Sequence, residues 1–144
     1  GASYGGYAAL MSAVKAPDLY ACTVGYVGIY DLEYMFTESD IPNNWGGKEY
    51  LRRVLGTDKD ELKAYSPIYH ADKIKANVML IHGSQDRRVP EINSEVLYKK
   101  LEELGKPPVY LKYKQAGHGV YNEDSRADLY EGLIEFLDRN LKKA

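Results

Sequence analysis

The sequence predicts an α/β domain, a mostly parallel sheet with helices on both faces. Two observations carry this. Strand-like and helical segments alternate along the chain, in the order helix, strand, helices, strand, helix, strand, helix. The segment Asn77 to His82 is apolar from Val78 to Ile81 without alternation, the pattern of a strand covered on both faces.

Each element has its own reason. Ala8 to Val14 is a small-residue helix pattern, and Pro17 ends it. Ala21 to Val27 is short, β-branched and dotted with glycine, a buried strand. A polar excursion follows, with Asp31–Phe36 read as helix and Ile41–Gly47 as loop. The whole stretch Thr37–Gly47 is a loop rather than a domain boundary, so residues 1–144 form one domain. Lys48–Leu55 is an amphipathic helix stopped by Gly56, and Asp58–Ala64 is a short helical turn. Pro90 opens a helix to about Leu104, with Val96, Leu97, Leu101 and Leu104 on one face and Gly105 as its stop. Val109–Tyr113 alternates and reads as an edge strand. Asn122–Leu141 is the last helix, with Leu129, Leu133, Phe136, Leu137 and Leu141 on its apolar face.

Composition removes several classes of function. The net charge is −2 and no basic stripe is present, so no nucleic-acid partner is expected. No run of about 18 apolar residues exists to span a membrane. One cysteine, Cys22, excludes an internal disulfide and leaves the compartment open. The histidines and the cysteine lack ligand spacing, so neither metal nor cofactor is expected. Tyrosine, at 14 residues, is the one excess, and it suits pocket walls and interfaces.

Chemistry is concentrated in three places. Gly1-Ala2-Ser3-Tyr4-Gly5 fits the G-x-S-x-G nucleophile elbow, in which a serine sits on a strained strand-to-helix turn between small neighbours. A helix pattern follows at once, and Gly6 would let that helix approach the sheet closely. A serine hydroxyl needs a base, and His70, His82 and His118 are available. His70 lies between polar turns and His82 ends an apolar strand, so both read as structural. His118 stands between Gly117 and Gly119 just after the last strand, where an exposed imidazole has room. A plain Gly-His-Gly turn would look the same. Asp86 lies in the loop after the Asn77–His82 strand, where an orienting acid belongs, although a solvated turn aspartate also fits. Taken together, Ser3, Asp86 and His118 follow the chain order of an α/β-hydrolase triad, each after an expected strand. Cys22 is rejected as a nucleophile, because it lies inside a strand with no base nearby.

With these motifs in view, the sequence resembles the catalytic domain of the prolyl oligopeptidase family of serine peptidases. The likeness is carried by Gly1 to Tyr7, by His82 to Pro90 with its Asp-Arg-Arg-Val-Pro stretch, and by Gly117-His118-Gly119. The middle motif is closer to the acylaminoacyl-peptidase and dipeptidyl-peptidase branches. The resemblance implies Ser3 as nucleophile, His118 as general base and then acid, and Asp86 as the group that fixes the imidazole tautomer. It also implies the Tyr4 backbone N–H as an oxyanion donor, and Ile29, Leu32, Met35 and Val89 as the lining of the primary side-chain pocket. Arg88 would grip the substrate backbone. Aliphatic Leu32 and Met35 stand where the family often has an aromatic residue, which argues against a strict proline preference. Ordinary core would be the alternative role for Ile29, Leu32 and Met35.

The resemblance further implies a peptide substrate and a larger parent chain. Further strands and a propeller domain are expected ahead of Gly1, because only three strands are readable in residues 1–144. This portion would then be the C-terminal part of the catalytic domain. The Ala21–Val27 strand would have an unpaired edge that invites pairing with another chain, including a second copy. A carboxylesterase with the same triad, and a catalytically incomplete domain used for interaction, are the rival functions.

Overall fold

Nine regular elements follow one another in the structure, a computed structural model that describes residues 1–142. They are α1 (Tyr4–Lys15), β1 (Cys22–Tyr26), α2 (Tyr34–Thr37), α3 (Gly47–Leu55), α4 (Lys59–Ala64), β2 (Asn77–Gly83), α5 (Ile92–Glu103), β3 (Val109–Tyr113) and α6 (Glu123–Leu141). Short 3-10 turns at Ile41–Asn43 and Pro67–Lys73 complete the excursion between β1 and β2.

The sheet is parallel in the order β1-β2-β3, with Val24 opposite Met79 and Ile81 opposite Leu111. Alternation along β2 builds two cores. Val78 and Leu80 face α1 and α5, where Leu10, Val14, Leu97 and Leu101 meet them. Met79 and Ile81 face the other way, onto Leu129 and Phe136 of α6. A strand buried on both faces needs no polar side, which is why Val78–Ile81 reads as an uninterrupted apolar run. Each fully buried leucine here contributes about 1.5–3 kcal/mol relative to exposure.

Several elements depart from the sequence reading. The first helix of the excursion is Tyr34–Thr37 rather than Asp31–Phe36. The Asp31 carboxylate accepts the Glu33 backbone N–H at 3.0 Å and closes a turn just ahead of the helix. Ile41–Asn43 forms a 3-10 turn where loop was expected. In α5 the buried positions are Asn93, Ser94, Leu97 and Leu101, while Val96 is only half-buried and Leu104 is exposed. Asn93 is tolerated inside because its side-chain oxygen accepts the backbone N–H groups of Tyr30 (3.0 Å) and Asp31 (3.2 Å). On α6, Leu141 is exposed, outside the buried stripe of Leu129 and Phe136.

The outer edge of β1 is occupied at one end. Gly1 N donates to Val24 O at 2.9 Å, Tyr26 N to Gly1 O at 3.0 Å, and Ser3 N to Tyr26 O at 2.8 Å. Ala2 and Tyr26 pair in parallel, so Val24–Tyr26 is not a free edge, as a wholly unpaired strand would be. An apolar groove lined by Cys22, Val24, Leu133 and Leu137 runs beside the rest of the strand. Among the described residues no helix is long and apolar enough to cross a membrane.

Candidate active site

The carboxyl ends of the three strands meet at one place, where Asp86 follows β2, His118 follows β3, and Ser3, which precedes β1 in the chain, sits beside the end of β1. Ser3 is held by its hydrogen bond to the end of β1 and caps α1. Its backbone sits at φ 55° and ψ −119°, a region that L-residues avoid. The turn lifts the hydroxyl above the sheet edge, and its strain amounts to about 1–3 kcal/mol. Close approach makes the turn possible. A Cβ at Gly1 would collide with the Gly5 carbonyl, and one at Gly6 would lie 2.8 Å from Gly28 Cα. The space around Gly5, by contrast, is open, so packing within this chain does not demand a small residue there. Ser3→Gly is expected to raise stability by about 1 kcal/mol in urea titration, since glycine accepts this backbone conformation.

Asp86 follows β2 in a tight turn. Its Oδ1 accepts the backbone N–H groups of Arg88 (3.0 Å) and Val89 (2.9 Å), and its Oδ2 faces His118 Nδ1 at 2.7 Å. The carboxylate is fully covered, and burial alone would push its pKa up. The N–H of nearby His82, together with hydrogen bonds from the Val89 backbone and His118, outweighs burial and holds it below the ordinary value. An ionised Asp86 requires that His118 Nδ1 carry hydrogen, which leaves Nε2 free to accept. That nitrogen lies 3.1 Å from Ser3 Oγ.

The His118 loop is set by contacts that reach beyond its own glycines. Val120 N donates to the Tyr26 hydroxyl at 2.6 Å, which ties the loop to the end of β1. Gly83 packs against it so closely that a Cβ would collide with the carbonyl oxygens of Ala116 and Gly117. Gly83→Ala is therefore expected to cost about 1–3 kcal/mol in stability. Displacement of His118 should also lower kcat about tenfold or more, read from steady-state kinetics of the folded variant. Tyr26 and Gly83 carry no sequence signal for this role, because their partners come from distant segments.

The other sequence-derived positions lie around this centre. Tyr4 opens α1, where a backbone N–H has no carbonyl one turn back in the helix to receive it. Met35 and Val89 are buried against Leu51, with Ile29 half-buried at the margin of the same cluster. Leu32 is also buried, and its N–H donates to Ser66 Oγ at 2.8 Å. Arg88 is half exposed and pairs through Nε with Asp40 at 3.0 Å. His70 hydrogen-bonds the Ala64 carbonyl at 2.8 Å and is remote from the constellation in its contacts. Among the described residues no group of three or more His, Cys, Asp or Glu is arranged to hold a metal ion.

Comparison with known proteins agrees with this architecture. The model of the prolyl oligopeptidase family matches residues 1–144. Dipeptidyl peptidase family member 6 of Caenorhabditis elegans is 31% identical over 98% of this chain, which covers 20% of that protein. Dipeptidyl aminopeptidase BIII of Pseudoxanthomonas mexicana is 32% identical over 83% of this chain, covering 18% of that protein. The solved structure of Pyrococcus horikoshii acylaminoacyl peptidase superposes with a TM-score of 0.90 at 30% identity, over 99% of this chain and 24% of that one. The fold these structures share with the chain is the α/β-hydrolase fold. The chain thus spans about a fifth of the length of the curated relatives it matches.

Proposed function

The chain belongs to the prolyl oligopeptidase family, and on that premise we propose that the protein is a serine peptidase acting on short peptides, with Ser3 as nucleophile, His118 as base and Asp86 as orienting acid. One observation carries the reading. A continuous hydrogen-bonded path runs from Ser3 Oγ through His118 to Asp86, at 3.1 and 2.7 Å.

In this mechanism Ser3 Oγ attacks the scissile carbonyl carbon while His118 Nε2 takes the hydroxyl proton. The carbonyl π electrons move onto oxygen, and the Tyr4 N–H donates to that oxyanion. Collapse breaks the C–N bond, and His118 gives its proton to the leaving amine. Water then repeats the sequence on the acyl-enzyme and frees Ser3. Asp86 never takes the proton; it holds the tautomer and stabilises the imidazolium. One oxyanion donor is worth about 2.7–4 kcal/mol where such donors have been removed.

Substrate contacts belong to the same proposal. Ile29, Leu32, Met35 and Val89 would form the wall of an apolar side-chain subsite, with half-buried Ile29 offering the accessible surface. Arg88 would exchange Asp40 for a substrate carbonyl. Arg88→Ala is expected to raise KM about tenfold with kcat nearly unchanged, the signature of lost uniform binding. An unchanged KM for peptides would remove Arg88 from the site.

The reading is tested by parallel assay of aminoacyl-amide and ester substrates with the full-length gene product. Amide turnover that disappears in Ser3→Ala supports the peptidase. Turnover of esters alone would assign a carboxylesterase instead. Failure on both, with no labelling by a fluorophosphonate, would mean that the domain has lost catalysis.

A further inference from the structure

The structure contains a second histidine beside the proposed acid. His82 is fully buried at the end of β2, and both of its ring nitrogens are engaged. Nε2 faces the Val89 carbonyl at 2.7 Å and lies 3.5 Å from Asp86 Oδ2. Nδ1 meets Ser94 Oγ of α5 at 2.7 Å. A carbonyl only accepts, so Nε2 carries hydrogen, and in the neutral ring Nδ1 accepts the Ser94 hydroxyl.

On the strength of this geometry we propose that His82, oriented by Ser94, is a positioning residue that fixes the Asp86 carboxylate for its work on His118; this rests on the triad reading above. Two routes lead from His82 to the acid. The direct one is electrostatic, because Nε2, whose N–H donates to Val89 O, also lies 3.5 Å from Asp86 Oδ2. The indirect one runs through Val89, whose carbonyl is gripped by His82 while its N–H grips Asp86 Oδ1 at 2.9 Å. One residue of the turn is thereby held from both sides of its backbone. Asp86 Oδ2 is the oxygen that His118 uses, and His82 Nε2 lies 3.5 Å from the same oxygen. Carboxylate rotation about χ2 is a soft motion, restrained at Oδ1 by the Arg88 and Val89 N–H groups and at Oδ2 by His118 and the nearby His82 N–H. A path of polar contacts thus extends from Ser94 on α5 through His82, Asp86 and His118 to Ser3.

The role separates from mere core packing by what it predicts. In the full-length gene product, His82→Leu keeps comparable volume and removes both nitrogens. It is expected to lower kcat about tenfold to a hundredfold, with KM within about threefold, because the acid is misplaced while the substrate contacts remain. The downfield proton resonance of the His118 Nδ1–H to Asp86 bond should shift upfield or broaden away. His82→Gln puts an amide N–H near the position of Nε2 and is expected to restore most of kcat. If a cooperatively folded His82→Leu kept wild-type kcat and an unmoved proton resonance, His82 would be core filler and the proposal would fail. Failure of Gln to recover activity above that of Leu would also overturn it. Where His82→Leu does not fold, Ser94→Ala decides: a fall in kcat of about threefold to tenfold at constant KM supports the role, and an unchanged kcat removes it. Ser3→Ala is run alongside. Residual turnover there would sink the triad reading itself, whereas a dead Ser3→Ala beside an unaffected His82→Leu would sink only this inference.

Discussion

Ser3→Ala and His118→Ala are each expected to lower kcat by about six orders of magnitude in the full-length gene product, and the double variant is expected to be scarcely worse than either one. The reason is physical. A serine hydroxyl without a base is almost wholly protonated at neutral pH, and a base without the hydroxyl has nothing to activate. The two groups therefore act as a unit through the 3.1 Å contact between His118 Nε2 and Ser3 Oγ. Neither change should unfold the domain. Ser3 contributes its backbone to the β1 edge, which alanine keeps, and the His118 side chain is about one-third exposed. Circular dichroism and a cooperative thermal transition check that point. A single variant that retained even a hundredth of wild-type turnover would contradict the assignment.

Asp86→Asn is expected to lower kcat about 10⁴-fold with the fold intact. An asparagine side chain fills the same space, and its oxygen can still accept from the Arg88 and Val89 amides now bound at 3.0 and 2.9 Å. Its NH₂ would then face His118 Nδ1 and donate to it. That contact pins hydrogen on Nε2, the nitrogen that must accept from Ser3, so the imidazole becomes a donor where a base is required. The loss should lie in kcat, since no substrate contact changes. Labelling by a fluorophosphonate should slow by a similar factor, because it uses the same activated hydroxyl.

How much of this was legible in the sequence depends on how local each cause is. Ser3, Asp86 and His118 could be named because the elbow glycines, the strand before Asp86 and the glycines around His118 are short-range features in a fixed order. The two-faced burial of β2 was legible for the same reason. The inner face of α5 was legible only in part, through Leu97 and Leu101. Asn93 and Ser94 are not among the residues of the expected apolar face, and the backbone groups of Tyr30 and Asp31 and the ring of His82 make their burial tolerable. These partners lie 63, 62 and 12 residues away. Tyr26 is a similar case, since its hydroxyl finds Val120 at a separation of 94 residues. The shift of the first excursion helix to Tyr34 has a local cause, the turn that Asp31 closes onto Glu33, which the apolar pattern alone does not show. His82 read as structural, at the end of an apolar strand; the contact to Asp86 that gives it a further role depends on the fold of the 86–89 turn.

The central claim is that His118 activates Ser3 for attack, and the site of covalent modification tests it most directly. The full-length gene product, treated with a fluorophosphonate and analysed by peptide mass spectrometry, should carry one adduct, on Ser3, and His118→Ala should carry none under the same conditions. An adduct on a different serine, or equal labelling of Ser3 with and without the His118 imidazole, would contradict the account.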